Sequence, residues 1–180
     1  MMKRIYIFRK KNPAVIVIIT VIFWLAVLSA VMLLLLWQEE CLTAECGGRF
    51  IFVCPIQTGE SFEITFTHSL NLSPITDVIE WTGSDLIVRK SIFRTFGAGV
   101  PVLSDGIGTE LIHVDGHYEL IGIDKHTQSI TVMTQDVPDH RVVFDGREFF
   151  LLELAGSGKQ VNITVKRFPV IINRIRNIFN

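Results

Sequence analysis

The run Pro13–Trp37 constrains everything else in this chain. It carries no charge, and its only polar side chains are Thr20 and Ser29, whose hydroxyls can bond back to a helix. At about 1.5 Å rise per residue, roughly 20 apolar residues cross a bilayer core of about 30 Å. Lipid offers the backbone no hydrogen bonds, so such a run must satisfy its own as a helix. Trp24 falls mid-span, and Trp37 falls at the end, where an indole favours the membrane interface. A cleaved signal peptide is the alternative. The run is too long for a usual apolar signal core, and no small-x-small site precedes the polar chain. Gln38-Glu39-Glu40-Cys41 also lacks the small residues that a lipoprotein cleavage site needs. The expectation is an uncleaved anchor.

Charge assigns sides. Lys3, Arg4, Arg9, Lys10 and Lys11 precede the span, whereas Glu39, Glu40 and Glu45 follow it. Basic flanks stay cytoplasmic, so residues 1–12 are expected inside and the main domain outside the inner membrane. The division is therefore 1–12, a basic N-terminus; 13–37, the transmembrane helix; 38–165, an extracytoplasmic domain; and 166–180, a basic apolar tail. Residues 38–165 hold eight Lys/Arg against eighteen Asp/Glu, a formal net charge of −10. Such a domain repels phosphates, which excludes nucleic acid as a partner. In the tail, Ile171, Ile175 and Ile178 would share a helical face suited to lipid or a membrane partner. A final strand with a frayed end is the equal alternative.

Beyond Arg49 the pattern becomes short extended runs separated by turns. Phe62, Ile64 and Phe66 alternate with Glu63, Thr65 and Thr67, the period of a half-buried strand. Ile75–Trp81 and Leu86–Phe96 flank Gly83-Ser84-Asp85 as a hairpin. Tyr118–Ile123 and Ser129–Asp136 flank Asp124-Lys125-His126-Thr127 as another. Arg141–Phe144 and Glu148–Leu154 flank Asp145-Gly146, a strong hairpin turn. Many short strands without amphipathic helices between them predict a mainly β protein, an antiparallel sandwich or barrel after one N-terminal helix. Cys41, Cys46 and Cys54 leave three readings open: a 46–54 bridge, a 41–46 bridge, or three thiols.

Motifs for chemistry are few. His113-x-Asp115-x-His117 is metal-like in composition, but Asp115-Gly116 is a turn that spoils helical ligand spacing. Asn71-Leu-Ser73 and Asn162-Ile-Thr164 match the glycosylation pattern, and Gly156-Ser157-Gly158 reads as a linker. No metal or cofactor site is expected, and no enzyme. Two stretches stand out. Thr67-His68-Ser69-Leu70, with Ser73-Pro74-Ile75 and then Glu80-Trp81, places a histidine among hydroxyls at a strand end. Phe93-Arg94-Thr95-Phe96-Gly97-Ala98-Gly99-Val100-Pro101 is a glycine-rich exit loop that can present backbone N–H groups. Thr67, His68, Ser69, Ser73, Pro74, Glu80, Trp81, Phe96, Gly97, Ala98, Gly99 and Pro101 are the candidate binding or interface residues.

These two blocks resemble the bacterial domain-of-unknown-function family eighteen-fifty, over about residues 50–165. The departures are Phe66 where tyrosine is usual, Leu70 and Ile75 where valine is usual, and Val100 where leucine is usual. The resemblance implies an association with TAXI-type TRAP transporters, which are sodium-driven importers fed by an extracytoplasmic solute-binding protein. The expected partners are thus the membrane-embedded TRAP subunits, the TAXI-type binding protein and the lipid bilayer. The expected role is that of an accessory subunit. Two other readings of the residues are a tethered hydrolase using His68 with Ser69 or Ser73, and a cell-envelope assembly module that binds peptide at a sheet edge.

Overall fold

The computed structural model describes residues 12–70, 72–96 and 108–170. The helix α1, Pro13–Leu36, has Pro at its first turn and buries none of its side chains within the protein. Its mean hydropathy reaches 2.9, and at about 1.5 Å per residue it is about 36 Å long. Thr20 Oγ1 donates to the Ile16 carbonyl at 2.9 Å and Ser29 Oγ to the Ala26 carbonyl at 2.9 Å, so both hydroxyls are satisfied within the helix. This is a helix with the length and composition of a membrane anchor or a signal sequence.

The β domain, Glu39–Phe168, is a compact unit of its own. Its strands are β1 (Gln38–Cys46), β2 (Arg49–Pro55), β3 (Ser61–Thr67), β4 (Pro74–Trp81), β5 (Leu86–Phe93), β6 (Glu110–Val114), β7 (His117–Thr127), β8 (Ile130–Met133), β9 (Arg141–Phe144), β10 (Arg147–Phe150) and β11 (Gln160–Pro169), with a short helix α2 (Leu151–Ala155) before the last. They form two sheets, β2-β1-β11-β8 and β10-β9-β3-β4-β5-β7-β6. The registered strand pairs are antiparallel. The fold is a mainly β, sandwich-like domain, as the alternation predicts.

The core shows why the strands alternate. Phe62 and Ile64 of β3 and Ile79 and Trp81 of β4 meet Leu42 and Val161 from the smaller sheet. A second cluster of Ile75, Phe93 and Leu120 fills one end of the larger sheet. Turn residues do the rest. Gly47 and Gly48, at φ 56° and 79°, join β1 to β2 with Cys46 opposite Arg49, the left-handed geometry of a tight hairpin. Asp115-Gly116 and Asp145-Gly146 close the β6–β7 and β9–β10 hairpins.

Three expectations are corrected. First, Asp124-Lys125-His126-Thr127 is no hairpin connection: it continues β7, with His126 opposite Ile87 and Lys125 opposite Val88. The turn-prone residues are absorbed by a bulge, where Arg89 of β5 faces Gly122–Asp124 of β7. Gly122 has φ 67°, and a Cβ there would collide with Thr109 Oγ1. Secondly, Ile130–Met133 pairs with β11 in the other sheet, not with β7. Thirdly, the end of the Glu148–Leu154 run is the helix α2, which drives Leu151 into the core at 0% exposure. Residues 166–169 belong to β11, in keeping with the reading of a final strand. Lys166 pairs with Glu45 at 2.6 Å and Arg167 with Glu40 at 3.0 Å, so both are strand residues with local partners. Ile171, Ile175 and Ile178 lie outside the described residues.

The register also decides among the cysteine readings. Cys41 faces Pro55 and Cys54 faces Leu42, so neighbouring ladder positions aim the two thiols to opposite faces. Cys46 and Cys54 sit towards opposite ends of the β1–β2 ladder, and Cys41 and Cys46 lie five residues apart along β1. At about 3.3 Å per residue both proposed bridges exceed the roughly 7 Å that a disulfide allows. No disulfide joins any two of the three. Burial, with Glu39 and Cys54 nearby, pushes the Cys41 thiol up to about 12, which leaves it unreactive.

Candidate functional site

The two motifs singled out from the sequence meet at one end of the larger sheet. The β3–β4 turn is closed by the His68 N–H to the Ser73 carbonyl at 2.9 Å and the Leu72 N–H to the His68 carbonyl at 2.9 Å. The Leu70 N–H donates to His68 Nδ1 at 3.3 Å, and the Thr67 N–H donates to the Pro138 carbonyl at 2.7 Å. Pro74, opposite Thr67, opens β4. Ser73 Oγ lies 2.8 Å from Thr95 Oγ1, which ties this turn to the second motif. Ser69 is exposed. His68 and Ser73 thus act as turn and tether. Phe96 packs on Tyr118 at 4.5 Å, and His113 on the same ring at 4.7 Å. Gly97, Ala98, Gly99 and Pro101 lie outside the described residues.

Apolar side chains stand out from this end into solvent: Leu70 at 73% exposure, Leu72 at 69%, Phe96 at 47%, and Val114 in the adjoining β6. Leu72 holds this exposure at φ 49°, a backbone region unfavourable for a bulky residue. Such a cluster is dispensable for the core, and clustered apolar exposure marks contact surfaces.

Glu80 and Trp81 belong elsewhere, at the far end of β4, about 20 Å from the turn at about 3.3 Å per residue. They point to opposite faces. Glu80 pairs with Arg89 at 2.9 Å, and Arg89 with Asp124 at 2.6 Å. Trp81 is buried, and its Nε1–H donates to Glu40 Oε2 at 2.7 Å. The Trp81 hydrogen bond, then Arg167, hold the Glu40 carboxyl below its usual range against the opposing effect of burial. The Trp81–Glu40 bond ties the two sheets, whereas Glu80–Arg89–Asp124 ties neighbouring strands of the larger one. His113 and His117 flank a turn, with His117 Nε2 3.4 Å from Glu119 Oε1. Among the described residues no metal-binding group of three His, Cys, Asp or Glu occurs.

A site that sequence reasoning passed over opens between the sheets beside β8. This cleft, of about 260 Å³, has walls of Ile64, Phe66, Ile79, Val88, Ile130 and Val132. Three titratable groups line it: Asp77, His140 and Lys125. Asp77 sits opposite Ile64 and Ser91 in the inward row Ile75, Asp77, Ile79, Trp81, so the pleat itself aims a carboxyl at the apolar face. Burial pushes that carboxyl above its usual range, with Ser91 opposing. The His140 ring stacks on Phe66 at 5.3 Å, its Nδ1 is buried without a partner, and burial lowers its pKa. The signal for Asp77 was legible, as one acid in an otherwise apolar alternation; its covering by β8 was not.

A raised carboxyl makes a signed prediction. Its stabilising preference for the neutral form is fully present below the unfolded Asp pKa, about 3.9, and is lost as pH rises through the raised folded value. Asp77→Asn should therefore melt higher than wild type at pH 7, by roughly 2–5 °C, and show no such gain near pH 3. Thermal melts at both pH values check this. A lower melting point for the variant at pH 7 would remove the burial cost assigned to Asp77.

The model of one protein family, the domain of unknown function (DUF1850), matches residues 62–151. That stretch runs from β3 into α2 and contains both the exposed apolar end and the three titratable residues of the cleft. No curated protein and no solved structure matches the chain. With half of its 180 residues inside the match, the chain belongs to the DUF1850 family.

Proposed function

We propose that this chain is a membrane-anchored accessory subunit of a TAXI-type TRAP transporter. In this reading α1 holds the protein in the inner membrane with the basic N-terminus cytoplasmic. The β domain works on the extracytoplasmic side, against the TRAP membrane subunits or the TAXI-type solute-binding protein. The observation that carries it is the exposed cluster Leu70, Leu72 and Phe96, gathered at one sheet end by the Ser73–Thr95 tether. An apolar helix with no buried residue supports the anchor, and the bases before it and acids after it support the orientation. A contact surface for another protein needs apolar anchors of this kind and no catalytic constellation.

The test is gentle detergent extraction of the full-length protein at native expression, followed by affinity capture and mass spectrometry. Stoichiometric recovery of multi-spanning transporter subunits is the expected result. Recovery of the protein alone, from membranes that contain those subunits, would overturn the assignment.

A further inference from the structure

The cleft beside β8 combines features that the contact surface does not need. Its walls come from both sheets, Ile64 and Ile79 from one side and Ile130 and Val132 from the other, so it is apolar across its width. At about 260 Å³ it falls just below the roughly 300–1,000 Å³ of typical small-molecule sites, which suits a compact ligand. Sites of this kind pair apolar walls with a few placed polar groups.

The charge arrangement selects among ligands. Lys125 projects on the inward face, opposite Val88, and is exposed at the cleft mouth. No ion pair among the described residues involves it. Its sequence neighbour Asp124 is held by Arg89 at 2.6 Å. Among the described residues the ammonium thus has no ion-pair partner. Deeper in, burial favours the neutral forms of both Asp77 and His140. His140 Nδ1 has no partner, and a buried polar atom left so asks for a hydrogen bond from outside the protein. A cationic ligand would meet the like charge of Lys125 at the entrance and be repelled by it. An anion with an apolar body meets a cation first and hydrocarbon next. The acidic domain does not attract anions at long range, so selectivity here is local and arises from Lys125.

We infer that the cleft binds a compact amphiphilic carboxylate. Its carboxylate pairs with the Lys125 ammonium at the mouth, and its short aliphatic body lies between Ile64, Ile79 and Val132. This site is separate from the exposed Leu70–Phe96 end and stands whether or not a transporter is the partner.

The test uses the full-length protein in lipid nanodiscs, with empty nanodiscs subtracted. Hexanoate, hexylamine and hexanol are titrated by calorimetry against wild type and Lys125→Met. Lys125 is exposed, so the variant keeps the fold, and a thermal melt verifies this. The expected result is saturable 1:1 binding of hexanoate, with hexanol and hexylamine at least about tenfold weaker. Lys125→Met should lose about tenfold in hexanoate affinity while hexanol binding stays unchanged. Absence of hexanoate binding, tighter binding of the amine, or an unchanged hexanoate affinity in the variant would each overturn the inference.

Discussion

Replacing Trp81 by alanine is expected to destabilise the β domain by about 3–5 kcal/mol, the range for truncating a large buried aromatic side chain. Trp81 is 7% exposed and packs in the main core with Ile79 and Leu86. The same ring carries a polar tie, because its Nε1–H donates to Glu40 on β1 in the opposing sheet. Trp81→Phe separates the two contributions. It keeps most of the apolar contact and removes only the donor to Glu40, at a cost of about 1–3 kcal/mol for a charge-assisted bond. Arg167, 3.0 Å from the other oxygen of Glu40, keeps this near the lower end. The sign with pH follows from the depressed Glu40. Its contribution is present above the unfolded Glu pKa, about 4.3, and is lost as pH falls through the lower folded value. The gap between wild type and Trp81→Phe should accordingly close in acid, whereas the gap to Trp81→Ala should persist. Denaturant melts of the full-length protein in mild detergent at pH 7 and pH 3 measure both. A loss below about 1 kcal/mol for the alanine variant at pH 7 would mean that Trp81 is no core residue and restore it as a candidate for binding.

The elements legible in the sequence are those whose cause is local. Phe62, Ile64 and Phe66 declare β3 by alternation, and Asp115-Gly116 and Asp145-Gly146 declare their hairpins by the backbone angles they tolerate. The failures have non-local causes. β1 has four successive buried residues, Cys41 to Ala44, so it shows no alternation, and its place as an inner strand between β2 and β11 is set by pairings far along the chain. Asp124-Lys125-His126-Thr127 carries turn residues, yet pairing with β5 outweighs them and confines the irregularity to a bulge. For α2 the signal was present and misread: Leu-Leu-Glu-Leu-Ala is rich in strong helix formers. Site residues divide the same way. The link between the His68 turn and the Phe96 loop is foreseeable from one hairpin, since both ends of β4–β5 lie together. The cleft needs β8 to cross to the other sheet, and no local pattern announces that. Hence Asp77 could be noticed in its strand, but its neighbours in the cleft, His140 and Lys125, could not.

Converting Leu70 and Leu72 together to glutamate is expected to abolish capture of the proposed transporter partner while leaving the β domain folded. At 73% and 69% exposure these leucines contribute little to the core, and surface substitutions of this kind usually change stability by about 0.5 kcal/mol or less. In a protein contact the same side chains would be desolvated apolar anchors, each worth about 2 kcal/mol or more when it is a hot spot. Two glutamates would also put unpaired carboxylates into the contact, with a desolvation cost that nothing on the present surface offsets. Together these effects predict a loss of at least about thirtyfold in affinity, enough to empty a pull-down. Lys125→Met, in the cleft, should leave capture intact, because that site opens between the sheets and not at the exposed end. An unchanged melting point with lost capture would tie the transporter to the His68–Phe96 end. Unchanged capture by the double variant would move the contact to another face of the domain or to α1, since desolvating two carboxylates without partners in an interface costs several kcal/mol.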